Sequence, residues 1–106
     1  MKREFMLEAL RLSREAAQNG EVPVGAVVTI GDKIIGRGRN TREKDKNALC
    51  HAEIQAIDQA CKRLGGWRLW ECDIYVTLEP CPMCAGAIIN ARFGNVYFGA
   101  YDTKNG

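Results

Sequence analysis

Pro80 and Pro82, separated only by Cys81, constrain the local fold of this 106-residue chain more than any other pair of residues. Proline holds φ near −65° and carries no N–H, so neither residue fits inside a central strand or a helix interior. Ahead of them, Ile74-Tyr75-Val76-Thr77-Leu78 has the β-branched and aromatic make-up of a buried strand. Behind them, the chain through Ile88 to about Ala91 reads as a helix, and Pro82 suits its first turn. A strand must therefore end, and a helix begin, at Cys81.

The rest of the chain punctuates itself in the same way. Phe5, Ala9, Leu12 and Ala16 mark one face of a helix over residues 3–19, with Gly20 as its stop. Pro23 excludes helix, and Val24 to Ile30 reads as a strand. Gly31-Asp32 then turns the chain back through Ile34-Ile35 in a hairpin. Residues 37–47 form the most polar stretch, expected to be a basic loop carrying Arg37, Arg39, Arg42, Lys44 and Lys46. A second helix is expected from His51, with Ile54, Ile57, Cys61 and Leu64 as its apolar face and Gly65-Gly66 as its end. Residues 95–100 read as a further strand. This alternation predicts one three-layer α/β domain over residues 1–106, its last strands parallel through helical crossovers. Only Tyr101 to Gly106 follow that strand, so a partner or further chain is expected to cover the sheet edge.

Composition excludes several classes of protein. Apolar residues are 46% and charged residues 26%, so the chain is not of the disordered type. No run approaches the ~18 apolar residues of a membrane span, and Met1-Lys2-Arg3-Glu4-Phe5 lacks the apolar stretch of a signal peptide. A cytoplasmic location is the expectation. The net charge of +2 is too small to announce a nucleic-acid partner by itself. Five cysteines without an export signal point away from a disulfide framework and toward metal binding, catalysis or core packing.

Spacing selects among these. Cys81 and Cys84, three apart at a helix start, project from one face and can grip one ion. His51, the chain's only histidine, also begins a helix, and two helix starts at adjacent strand ends would bring all three donors together. One imidazole and two thiolates would leave the fourth position of a tetrahedral zinc open to water, the arrangement of a catalytic site. Glu53, two residues after His51, would point about 200° away on a regular helix. At an unwound first turn, however, His51 can ligate while Glu53 moves protons to and from that water.

His51-Ala52-Glu53 followed by Pro80-Cys81-Pro82-Met83-Cys84 matches the His-x-Glu and Pro-Cys-x-x-Cys signature of zinc nucleobase deaminases. Together with residues 20–27, Asn40, the stretch 75–87 and Phe98-Gly99-Ala100, it makes the chain resemble the bacterial tRNA-specific adenosine deaminase family along essentially its whole length. The resemblance implies a cytidine-deaminase-like, three-layer α/β/α fold with a mixed central sheet. It also implies hydrolysis of adenosine to inosine at the wobble position of a tRNA anticodon loop. By the same resemblance His51, Cys81 and Cys84 hold zinc and Glu53 shuttles protons. Asn40 contacts the flipped adenosine, the Ala52 backbone faces the reacting centre, Val24 packs on the base and Asp102 touches a neighbouring nucleotide. The family acts as a homodimer and continues past this point with a further strand and helices, so the C-terminal part is expected to be missing here.

Other readings stand beside this one. Guanine, cytosine and deoxycytidylate deaminases share the two short motifs, so spacing alone does not choose the base. Cys50 or Cys72 as a fourth ligand would close the metal site and leave a structural-zinc or RNA-binding module without turnover. Core packing is the simpler role for Cys50, Cys61 and Cys72. Trp67 and Trp70 read as core or interface residues.

Overall fold

Successive residues of a strand face opposite sides, and in β1 (Gly25–Ile30) Ala26, Val27 and Val28 are all completely buried. Such a strand has to be covered on both faces. The computed structural model, which describes residues 2–99, places it inside a four-stranded sheet. The order is β2 (Lys33–Arg39), β1, β3 (Cys72–Val76) and β4 (Asn95–Phe98). β1 runs antiparallel to both β2 and β3, whereas β3 and β4 are parallel, so the sheet is mixed. A parallel pair cannot be joined by a tight turn, and α4 (Pro82–Ala91) supplies the crossover.

One face of the sheet carries α1 (Arg3–Gln18), whose Phe5, Ala9 and Leu12 pack with Val27 and Tyr75. Tyr75 is 2% exposed, with Phe5 edge-on at 5.5 Å, Tyr97 at 4.9 Å, and its hydroxyl accepting the Lys2 N–H. The opposite face carries α3 (Ala52–Leu64) and α4, where Ala56, Ala60, Ile88 and Ala91 meet Ala26, Val28, Ile74 and Val76. The molecule is thus the three-layer α/β/α arrangement that the order of elements implied. Among the described residues no helix is long and apolar enough to cross a membrane.

Two local expectations are corrected. The basic stretch is not a loop throughout: β2 continues to Arg39, and residues Arg42–Asp45 form a short helix, α2. The polarity of residues 37–47 disguised the strand, whose glycines have a packing role. A Cβ on Gly36 would lie 2.2 Å from the Ala56 carbonyl oxygen, and one on Gly38 would lie 2.0 Å from that of Ala52. The glycines are there because α3 lies directly against the strand backbone. For the same reason the buried face of α3 is Ala52, Ala56 and Ala60, whereas Ile54, Ile57 and Cys61 are only half-buried and Leu64 is exposed. Close approach selects small residues over large ones.

Arg37 and Arg39 are drawn out of the presumed loop into ion pairs with α1. Arg37 Nε donates to Glu8 Oε2 at 2.8 Å and Arg39 Nη1 to Glu15 Oε1 at 3.0 Å, while Arg11 pairs with both acids. Hydrogen bonding from Arg11, helped by Arg37, holds the Glu8 carboxyl down at about 2.

Candidate metal centre

Helix N-caps usually carry Ser, Thr, Asp or Asn, whose side chains satisfy the first free N–H groups. α3 and α4 have His51 and Cys81 there instead, both extended (φ −84°, ψ 151° and φ −68°, ψ 168°), and neither side chain caps its helix. They are directed at each other. His51 Nδ1 lies 3.6 Å from Cys81 Sγ and 3.4 Å from Cys84 Sγ. A tetrahedral zinc with Zn–N near 2.05 Å and Zn–S near 2.3 Å separates such donors by about 3.5 Å, so the three side chains fit that ion. Their ligand atoms all lie within 4.8 Å of one another, and neither Cys50 nor Cys72 belongs to the group. Cys72 is wholly buried in the core on β3.

The extended backbone at His51 also resolves the angular conflict with Glu53. Because His51 stands outside the helix, Glu53 can lie in its first turn and still face the same space. Glu53 is 3% exposed, and its carboxyl receives hydrogen bonds from its own N–H and from the Cys84 thiol. Burial nevertheless raises its pKa above the ordinary carboxylate range. Burial likewise pushes the Cys84 thiol upward, reinforced by the nearby Glu53 and Cys81, and lowers that of His51, with Arg42 adding to the effect. Two helix N-termini point their positive ends at this cluster, a setting suited to thiolate and carboxylate charge once a cation is bound.

A cavity of about 190 Å³ opens beside the cluster, lined by Val22, Val24, Asn40, Arg42, His51, Glu53, Leu78, Glu79 and Cys81. Of the residues singled out from sequence, Val24, Asn40, His51, Glu53 and Cys81 share this cavity, and Cys84 adjoins it through His51. Asn40 is buried, and its Oδ1 accepts the Ala52 N–H at 2.9 Å, serving the helix start that His51 leaves uncapped. Ala52 is itself buried, its backbone N–H engaged in that bond. Asp102 lies outside the described residues. Val22, Leu78 and Glu79 were not recognised as wall residues, although each flanks a proline-marked turn. Arg42 stood only as one of five basic residues. Its individual placement depends on α2, which no periodicity announced.

Replacing Cys50 or Cys72 by Ser is expected to leave one zinc per chain after gel filtration, while the buried Cys72→Ser lowers the melting temperature. Loss of metal from either variant would show a fourth ligand and a closed site.

The profile of the MafB19-like deaminase family matches residues 1–105. The chain is 51% identical over 102 residues to the tRNA-specific adenosine deaminase of Bacillus subtilis (strain 168), covering 96% of this chain and 63% of that protein. It is 48% identical over 103 residues to the tRNA-specific adenosine deaminase of Rickettsia typhi (strain ATCC VR-144 / Wilmington), covering 95% and 70%. Among solved structures, it matches one from studies of A-to-I editing by tRNA:A34 deaminases at the wobble position of transfer RNA. There the TM-score is 0.95 and the identity 45%, over 99% of this chain and 76% of that one. It also matches a guanine deaminase from Bacillus subtilis with a TM-score of 0.91 and 40% identity, over 97% and 67%. The chain therefore spans just under two thirds of the Bacillus subtilis adenosine deaminase.

Proposed function

The chain belongs to the MafB19-like deaminase family, and on that premise we propose that it hydrolyses adenosine to inosine, releasing ammonia, at the wobble position of a tRNA anticodon loop. The observation that carries the reading is the convergence of His51, Cys81 and Cys84 beside a buried Glu53 on one small cavity. His51 Nδ1 and the Cys81 and Cys84 sulfurs hold zinc. Bound there, the ion supplies a water acidified to near neutrality as the nucleophile for C6 of adenine.

The chain's own groups do the rest. Glu53, its carboxyl made more basic by burial, takes a proton from the water and delivers it to purine N1. It then hands the second proton to the departing amine. Asn40 has its Oδ1 occupied by the Ala52 N–H, so its Nδ2 is the group left to donate to an acceptor on the nucleoside. Val24 packs on the base, and the Ala52 backbone, bonded to Asn40, faces the reacting centre. The cavity is smaller than the roughly 300–1,000 Å³ of drug-sized sites. It suits a single splayed base, which an anticodon loop can present and a stacked helix cannot. Arg42 stands at the cavity and meets the flanking phosphate, and by the family resemblance Asp102 contacts a neighbouring nucleotide.

Residues 1–106 act as one cytoplasmic deaminase domain in this proposal. It pairs as a homodimer, for which the exposed Trp67, Trp70 and Ile89 offer apolar surface. The likeness to the guanine deaminase supports one competing reading, turnover of a free base. Zinc-loaded protein incubated with an anticodon stem-loop bearing adenosine at the wobble position is expected to yield inosine, Glu53→Ala none, and free guanine no xanthine. Guanine turnover without editing of the stem-loop would overturn the assignment. So would an active Glu53→Ala protein.

A further inference from the structure

We propose that Glu21 is a positioning residue that holds Arg42 at the mouth of the cavity, a role that rests on the deaminase reading above. Glu21 is 7% exposed, follows the turn at Gly20 (φ +77°), and is fixed by donating its N–H to the Ala16 carbonyl. Its carboxylate bonds to no side chain among the described residues. Instead Oε1 accepts the Glu43 N–H at 3.1 Å and Oε2 the Lys44 N–H at 2.9 Å. These are the second and third residues of α2, the N–H groups an N-cap side chain ordinarily satisfies. The N-cap of α2, Thr41, makes no such bond. Its hydroxyl donates to Asp45 Oδ2 and accepts from Gln55 Nε2.

A carboxylate from twenty-two residues away therefore caps a helix of four residues whose side chains are all exposed. On their own, four residues cannot sustain a helix in water. Glu21 and the Thr41–Gln55 link are the two side-chain anchors of this turn. The two ends of the latch also border the site: Val22, next to Glu21, and Arg42, next to Glu43, both line the cavity. Glu21 thus ties one wall of the cavity to the other without facing the cluster of His51, Cys81 and Cys84. Releasing it would free Arg42 and leave the chemistry of Glu53 intact.

The test is Glu21→Ala in the zinc-loaded protein, with Glu21→Gln, which retains one acceptor, as the milder variant. With the anticodon stem-loop as substrate, Glu21→Ala is expected to raise KM about tenfold with kcat within about twofold, the signature of lost uniform binding. Zinc content should stay at one per chain, and the Glu43 and Lys44 amides should exchange faster. Glu21→Gln should fall between, and in an Arg42→Ala background Glu21→Ala should add nothing to KM. An unchanged KM, a full additional effect in the Arg42→Ala background, or a fall in kcat together with zinc would overturn the positioning role. If Glu21→Ala does not fold, the same outcomes are read from Glu21→Gln. Wild-type protein that leaves the stem-loop unedited overturns the deaminase reading and this role with it, and shows so before any variant is made.

Discussion

Glu53→Gln is expected to lower kcat by about 10²–10⁴-fold and, in the metal-free reduced protein, to raise the melting temperature. Glutamine keeps the shape and accepts the same hydrogen bonds, so the lost rate reports the proton that the carboxyl no longer moves. The stability gain follows from burial. Glu53 is 3% exposed and its carboxyl has a raised pKa in the folded chain, so the folded state prefers it protonated. Below the unfolded value near 4.3 both states carry the proton, and burial costs the protein little. As the pH climbs through the folded value, the unfolded chain ionises first and the native state loses relative stability. The advantage of glutamine should therefore be small at pH 4 and larger at pH 7.5. For a domain of this size each kcal/mol corresponds to roughly 4–8 °C. Melting curves at both pH values check this, and an equal gain at the two would show that charge burial is not its cause.

Gly38→Ala is expected to be among the most destabilising single methyl additions to this sheet, alongside the equally crowded Gly25. The new Cβ would stand 2.0 Å from the Ala52 carbonyl oxygen and 2.9 Å from the Ala56 nitrogen. Both are helix backbone, so α3 must move as a body. Overpacking of this kind typically costs about 1–3 kcal/mol, occasionally more. The displacement falls on the first turn of α3, which carries Glu53 and adjoins His51. Zinc affinity and kcat should therefore both fall, although residue 38 touches neither substrate nor metal. Gly86→Ala is the control: it lies on α4 with nothing within 4 Å of its Cβ and should raise stability by about 0.5–1 kcal/mol. A Gly38→Ala protein with wild-type melting and zinc content would contradict the close approach of α3 to β2.

The same pair of elements shows where sequence reasoning succeeds and where it stops. Helix ends were legible at α1, α3 and α4 because Gly20, Gly65 and the Pro80-Cys81-Pro82 segment constrain the backbone locally. The His51, Cys81 and Cys84 cluster was legible because donor type and spacing are chemistry written in single residues. The end of β2 was not, since the polarity of residues 37–47 reads as loop until the helix packed across Gly36 and Gly38 is seen. Nor was the buried face of α3, where periodicity favoured Ile54 and Ile57 but contact distance admits only Ala52, Ala56 and Ala60. Arg42 and Glu21 escaped for a third reason. Glu21 reaches the Glu43 and Lys44 N–H groups across more than twenty residues of chain, and Arg42 is placed by a helix of only four residues.

If the proposed tRNA substrate is bound, the ion pairs between α1 and β2 limit how far this part of the chain makes that binding depend on salt. Each phosphate contact to a single strand steepens the fall of log affinity with log salt concentration by about 0.7. Five basic residues free in one loop would give a slope near −3.5 on that scale. Arg37 and Arg39 are engaged by Glu8 and Glu15, however, which they share with Arg11, leaving Arg42, Lys44 and Lys46 as the basic residues of this stretch not ion-paired among the described residues. The segment can then contribute a slope no steeper than about −2. Under the proposed function, this segment would then add only modest counterion release to affinity, and the choice of base would rest on the cavity, since phosphate contacts carry no sequence information.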